Sequence, residues 1–204
     1  NAAITYVDAV EGASGNTFAT GGSLSDTSWL TVGTDDSAPD WGHRIQTTSG
    51  SEFGNNGDSY EGRSHSSGST QDSQLTTQLT GLSDGSYDIW VFFWDAANNG
   101  NQWEITAGLD ASLSDANDTY SFDGEGNTSS PVAASSLSFT NTVLTAADDR
   151  TLYGVKLGEA TVSAGSAVNV FIEQLGNATN GIDRTWYDGI GYEFVQGIQD
   201  SDGD

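Results

Sequence analysis

Residues 86–95 are the part of the chain whose side chains most clearly indicate a chemistry, since five of their ten positions are aromatic. Side chains alternate across a strand, so Trp90, Phe92 and Trp94 would lie on the face opposite to the other apolar residues of the segment. One face can fill a core. The other face must be covered by another layer or left as an aromatic surface, and such a surface beside the Asn-rich sequence that leads to Trp103 has the chemistry that sugar rings require.

Sugar binding needs two kinds of side chain, and both occur here. The C–H face of a pyranose stacks on indole or phenol rings, while its hydroxyls need carboxylate, amide or guanidinium groups. An Arg can donate two parallel hydrogen bonds to vicinal hydroxyls, a carboxylate or a sulfate. Each Arg could instead pair with a nearby acidic residue. The three Trp residues of the set could equally be core residues. The predicted ligand-binding residues are Trp41, His43, Arg44, Glu61, Arg63, Trp94, Asp95, Asn98, Trp103 and Arg184.

The charge balance narrows the possible partners. The chain has 204 residues, with 29 acidic residues against 5 Lys and Arg, which gives a net charge of −24. Such a charge repels nucleic acid phosphates and anionic membranes, so neither is expected as a partner. No stretch of apolar residues is long enough to span a bilayer. The sequence has no Cys, which excludes disulfides and thiol chemistry but does not bear on the compartment. On other features, we expect a secreted, monomeric protein.

Short alternating segments separated by Gly, Asn, Asp and Ser predict an all-β fold, a two-sheet antiparallel β-sandwich of the jelly-roll type. Asp84-Gly85 predicts a tight hairpin. A second hairpin is predicted around residues 157–166, and residues 49–72 and 110–147 are predicted as long loops. The predicted strands are 4–8, 29–32, 43–48, 74–79, 87–95, 102–109, 119–122, 152–157, 168–174 and 186–194.

The sequence becomes polar and acidic at the end of the chain. We predict a sandwich domain over residues 1–195, followed at 196–204 by an acidic linker or the start of a calcium-binding repeat. The final Asp-Ser-Asp-Gly-Asp resembles the start of a thrombospondin type 3 repeat, in which alternate carboxylates bind Ca²⁺. An ordinary disordered acidic tail is the alternative interpretation.

Three segments, residues 79–91, 157–172 and 186–193, together resemble carbohydrate-binding modules of the galactose-binding-like, jelly-roll type. The resemblance implies two antiparallel sheets with adjacent first and last strands. It also implies a glycan site on loops or on a concave face, and often a structural calcium near the junction of the terminal strands.

Calcium is also a hypothesis from the residues themselves. If the terminal strands pair, Asp8 and Glu11 would approach Asp183 or Asp188, and carboxylates brought together in this way need a cation or protons. We therefore predict a structural Ca²⁺ with ligands among Asp8, Glu11, Asp183 and Asp188. The two His residues are too few to indicate a zinc cluster.

The expected function is non-catalytic binding of a polysaccharide, with a red-algal galactan such as agarose or porphyran as the leading candidate. The module would belong to a larger enzyme of a marine bacterium and would concentrate the attached catalytic domain on its substrate. Two alternatives remain open. One is a calcium-stabilised adhesion or surface domain without glycan specificity, and the other is a small polysaccharide lyase; the sequence contains no nucleophile elbow or phosphate loop that would identify an enzyme.

Overall fold

The computed structural model describes residues 3–8, 18–20, 29–30, 41–45, 58–63, 75–94, 104–111, 113, 119–121, 131–147, 150–173 and 184–196. Strands account for most of them, and one short 3₁₀ helix covers Ala134–Ser136. In this described part, no helix has the length and apolar content needed to cross a membrane. The strands are β1 (Thr5–Asp8), β2 (Phe18–Thr20), β3 (Trp29–Leu30), β4 (Trp41–Ile45), β5 (Asp58–Arg63), β6 (Leu75–Leu79), β7 (Gly85–Trp94), β8 (Glu104–Gly108), β9 (Thr119–Ser121), β10 (Val132–Ala133), β11 (Ala146–Ala147), β12 (Arg150–Val162), β13 (Val168–Glu173) and β14 (Arg184–Gln196).

The strands form two antiparallel sheets. The larger sheet has nine strands in the order β10-β12-β7-β14-β5-β4-β3, with β1 also paired to β14 and β11 also paired to β12. The smaller sheet has five strands in the order β2-β6-β13-β8-β9. The predicted all-β, two-sheet antiparallel sandwich is therefore confirmed.

The main core lies between the two sheets. Strand β6 alternates buried and half-buried residues along its whole length, as expected for a strand with one face on a core. Its Leu75 and Leu79 belong to the same buried cluster as Ile89, Val91 and Phe93 of β7. One of the two faces predicted for the aromatic segment is thus confirmed as core.

The other face of β7 is covered as well, so of the two alternatives for this face the covering layer is the correct one and the open aromatic surface is not. Phe92 and Trp94 are only 0% and 1% exposed, and they form a second buried cluster with Tyr6 of β1 and with Ile4, which directly precedes that strand. The remaining cover comes from residues 131–147, which contribute an apolar side chain at four positions: Ala134, Leu137, Phe139 and Val143. Burial of aromatic area on this scale strongly stabilises a fold, which explains why the surface is covered.

Residues 138–141 hold the cover in place by extending the backbone pairing of β1. The Ile4 amide donates to the Ser138 carbonyl at 2.9 Å, and the Thr140 amide donates to the Ile4 carbonyl at 2.9 Å. The side-chain amide of Asn141 then accepts from the Tyr6 amide at 3.0 Å and donates to the Tyr6 carbonyl at 2.8 Å. An Asn side chain can take this place because its amide has both a donor and an acceptor.

Glycines in the two strands beside β7 make room for Phe92. A Cβ at Gly191 of β14 would lie 2.6 Å from Ile4 Cγ2 and 2.7 Å from Phe92 Cε2. A Cβ at Gly154 of β12 would lie 2.6 Å from Phe92 Cε1. The second cluster therefore requires glycine on both sides of this ring.

The two predicted hairpins are wrong. The turn at residues 80–84 leads from β6 in the smaller sheet to β7 in the larger one, and its left-handed residue is Gly81 with φ 80°. The turn at Ser163–Ser166 likewise leads from β12 to β13 in the other sheet, and the short strand predicted there is the end of β12 beyond a bulge at Lys156/Gly158. Turn chemistry marks a reversal of the chain but does not say which sheet the next strand enters.

Candidate functional site

Strand β14 has a bulge at Asp188. Its pairing with β7 runs from Tyr187 opposite Phe93 directly to Gly189 opposite Phe92, which leaves Asp188 without an opposing residue. The bulge also lies where β14 changes partner on its other edge, since β5 pairs with it up to Tyr187 and β1 from Gly189 onward. A bulge re-aims a side chain, and here it directs a carboxylate into the second buried cluster.

The Asp188 carboxylate is 6% exposed and accepts hydrogen bonds from two other strands. The indole Nε1 of Trp94 donates to Oδ1 at 2.7 Å, and the Tyr6 hydroxyl donates to Oδ2. Burial, followed by the negative charges of Asp188 and Asp8, raises the pKa of Tyr6 well above its ordinary value. Tyr6 therefore remains a protonated donor, and the three side chains tie β1, β7 and β14 together.

A pocket of about 350 Å³ opens at this bulge. Its lining includes Tyr6, Trp94 and Asp188, which are all buried, together with Asp8. The remaining lining residues are 142–144 of the covering segment, of which Leu144 is 38% exposed. The pocket thus has a buried polar and aromatic floor beneath a more exposed rim.

The predicted junction of the terminal strands is confirmed, since β1 pairs with β14 and Asp8 stands opposite Gly189. Asp8 and Asp188 line the same pocket, while Glu11 and Asp183 lie outside the described residues. Within the described ranges, no group of three or more His, Cys, Asp or Glu residues is placed to hold a metal ion. Calcium stays a prediction.

Trp94 does not serve as the predicted stacking platform. It is 1% exposed, so its indole face is not available to a sugar from bulk solvent, and this part of the prediction is wrong. Its polar atom instead helps to form the pocket floor. Asp95, Asn98 and Trp103 lie outside the described residues.

The six other predicted ligand-binding residues come from three distant segments, and the fold brings these onto neighbouring strands. Trp41, His43 and Arg44 lie on β4, Glu61 and Arg63 lie on β5, and Arg184 lies on β14. The three strands are adjacent in the order β14-β5-β4.

The register aligns these positions further. Arg63 stands directly opposite Arg184, and Glu61 stands opposite Trp186, which in turn stands opposite Trp94. Because strand positions alternate between faces, positions 44, 61, 63 and 184 fall on the face of the sheet that holds position 94. Positions 41 and 43 fall on the opposite face, with the buried residue Tyr187.

No sequence pattern marks Tyr6 or residues 142–144 as parts of a site. Tyr6 follows the alternation of an ordinary core strand, and nothing local reveals that its hydroxyl reaches a residue 182 positions away. Residues 142–144 lay in a predicted loop. Three other lining residues, Asp8, Trp94 and Asp188, were among the predicted site residues, and the pairing of the terminal strands brings Asp8 and Asp188 into one pocket.

Similarity to known proteins does not assign the site. No protein-family model matches the chain, and no curated protein matches it. The resemblance to carbohydrate-binding modules therefore stays a prediction, and the chemistry of the described residues is what bears on function.

Proposed function

We propose that this chain is a non-catalytic polysaccharide-binding module that uses the part of the larger sheet formed by β14, β5 and β4. The observation that carries the proposal is the cross-strand pair of Arg63 and Arg184. Directly opposite residues in an antiparallel pair have Cβ atoms about 5 Å apart, and like charges at that distance are destabilising. Two of the five basic residues of a chain with net charge −24 occupy these two positions.

A ligand group placed between two guanidinium groups would offset their repulsion. The negative charge of a sulfate ester would offset the repulsion directly. Vicinal hydroxyls would offset it by accepting a pair of hydrogen bonds from each guanidinium group. Galactans of red algae carry both kinds of group, which makes agarose or porphyran the leading candidate. Arg44 and Glu61 occupy neighbouring positions on the same face. In this proposal, residues of these two types would add a donor and an acceptor for sugar hydroxyls.

In this proposal the module acts by raising the local concentration of an attached catalytic domain on an insoluble chain. The secreted setting, the marine source and the linked enzyme belong to the proposal. The high negative charge supports a setting rich in salt, since self-repulsion is screened there.

Affinity electrophoresis through gels that contain agarose, porphyran or a plant polysaccharide tests the proposal. We expect retardation by at least one galactan, and a loss of about tenfold in affinity for Arg63→Gln/Arg184→Gln. The matched control is Arg150→Gln/Lys156→Gln, which removes the same charge from β12 and should keep the retardation. Equal loss in both double variants, or no retardation on any glycan, would contradict the proposal.

A calcium-stabilised adhesion or surface domain is the second candidate, and the pairing of β1 with β14 favours it because it brings Asp8 and Asp188 into one pocket. A bound ion that prefers the folded state would raise the melting temperature. A large fall in melting temperature on chelation, without retardation by any polysaccharide, would favour this candidate over glycan binding.

A further inference from the structure

We infer that the pocket at the β14 bulge binds one neutral sugar unit at the end of a glycan chain. The inference rests on the proposed polysaccharide binding and adds to it the part of the ligand that enters the protein. Two carboxylates alone would not make a ligand site. The inference depends on a formed cavity with a buried aromatic and polar floor.

The size of the pocket suits a single ring. Ligand pockets in proteins span about 300–1,000 Å³. This pocket, at about 350 Å³, is near the lower end of that range. The covering segment is held to β1 through Asn141 and joins β12 at Thr145, whose carbonyl accepts from the Leu152 amide at 3.0 Å. The rim is fixed at both ends in this way. Because the volume leaves room for one ring, a glycan chain would enter the pocket by its end.

The charge of the pocket decides which sugar it accepts. Asp8 and Asp188 line it, whereas the lining identified among the described residues includes neither Lys nor Arg. The two carboxylates would repel a sulfated or uronic unit. The hydroxyls of a neutral unit would donate hydrogen bonds to them. The Trp94 indole and the Tyr6 hydroxyl hold Asp188 in one orientation, so little freedom is lost when a ligand binds.

The remaining lining suits the C–H face of the ring. Val143 and Leu144 offer aliphatic surface at the rim, above the buried rings of Trp94 and Tyr6. The Thr142 hydroxyl is a further hydrogen-bonding group. Apolar walls with a few fixed polar groups are typical of small-molecule sites.

A calcium ion suits the pocket less well. Ca²⁺ takes about 6–8 oxygen ligands. The described lining offers the carboxylates of Asp8 and Asp188 and the hydroxyls of Thr142 and Tyr6, and the Tyr6 hydroxyl is already engaged with Asp188. The cavity is also much larger than one ion.

The pocket and the arginine pair would bind one chain. Asp188 and Arg184 are four residues apart on β14, which corresponds to roughly 13 Å along a strand. A neutral unit in the pocket would then place the following units over the positions of Arg184 and Arg63. Alternating neutral and charged units, as in a partly sulfated galactan, fit this order.

The test follows the indole Nε1–H signal of Trp94 in a proton–nitrogen NMR spectrum, with methyl β-galactoside, calcium chloride and sodium sulfate as separate probes. We expect the galactoside alone to shift this signal. In Leu144→Trp, which narrows the rim, the galactoside should bind about tenfold more weakly. Val132→Trp is the matched control, because Val132 is a similarly exposed residue of the same segment outside the pocket. The affinity of this variant for the galactoside should be unchanged.

Polysaccharide retardation, measured on the same variants, separates the two proposals. A retarded protein whose Trp94 signal does not respond to saturating galactoside would overturn the pocket inference and leave the proposed function intact. A Trp94 signal that responds to calcium or sulfate alone would also overturn the inference. If no polysaccharide retards the unmodified protein, the proposed function itself is contradicted.

Discussion

Trp94 donates its indole hydrogen to Oδ1 of Asp188 at 2.7 Å, and both residues are buried in the cluster between β7 and its cover. A carboxylate in such a place is costly unless donors satisfy it. Trp94 and Tyr6 are those donors, and the bulge in β14 is what brings the carboxylate to them. Stability of the terminal strands and formation of the pocket thus depend on the same contacts.

Asp188→Asn is expected to lower the free energy of unfolding by about 1.5–3 kcal/mol, because hydrogen bonds to a buried charged group are lost. The amide oxygen can still accept from the Trp94 indole, but the Tyr6 hydroxyl exchanges a charge-assisted hydrogen bond to a carboxylate for a weaker one with a neutral NH₂ group. Urea unfolding near neutral pH measures the loss. Asp84→Asn is the control, since Asp84 is exposed and should change stability by less than about 0.5 kcal/mol. Equal effects of the two substitutions would contradict this account.

Tyr6→Phe should weaken the pH dependence of stability in alkali. The pKa of Tyr6 is raised in the folded protein above the ordinary 10.0, mainly by burial and then by Asp188 and Asp8. Above that ordinary value the unfolded chain releases a proton that the folded protein keeps, so stability falls by up to about 1.4 kcal/mol per pH unit for this one group. Below pH 10.0, Tyr6 is protonated in both the folded and the unfolded chain, and its contribution to the free energy of unfolding is fully present.

Urea unfolding at a series of pH values from about 9 to 11 gives the slope for the unmodified protein and for Tyr6→Phe. Part of the slope should remain in the variant, because burial and the neighbours Tyr192 and Asp84 also raise the pKa of Tyr87. An identical slope in both proteins would show that folding does not raise the pKa of Tyr6.

Asn141→Ala should detach the cover from β1. The substitution removes two hydrogen bonds, both to the backbone of Tyr6, and should cost about 1–3 kcal/mol. Hydrogen exchange at the Tyr6 amide should become faster, since that amide loses its acceptor. Thr140→Val is the control, because it removes only the exposed hydroxyl contact with Thr5. Unchanged exchange at Tyr6 in Asn141→Ala would contradict the role of this clamp.

Sequence patterns predicted the strands well where apolar residues alternate, and all ten predicted strands overlap observed ones. Four observed strands, β2, β5, β10 and β11, were missed. Strand β5 lies in a predicted loop because Asp58–Arg63 is polar at most positions and has no apolar face to detect. The burial of Trp94 could not be predicted from the sequence around it. Alternation predicts that Trp90, Phe92 and Trp94 share a face, but it does not predict what covers that face. The cover comes from residues 131–147, where the polar residue Asn141 interrupts the alternation of Leu137, Phe139 and Val143.

Gly191→Ala should destabilise the protein by about 1–3 kcal/mol, because the added methyl group would overpack the cluster around Phe92. The new Cβ would lie 2.6 Å from Ile4 Cγ2 and 2.7 Å from Phe92 Cε2, both of which belong to buried residues. Phe92→Leu should relieve one of these contacts at the cost of lost aromatic packing. A double-mutant cycle measured by urea unfolding should therefore show that the two substitutions together cost less than the sum of their separate costs. Strict additivity would mean that position 191 does not touch the ring, and it would place the boundary of the second cluster elsewhere.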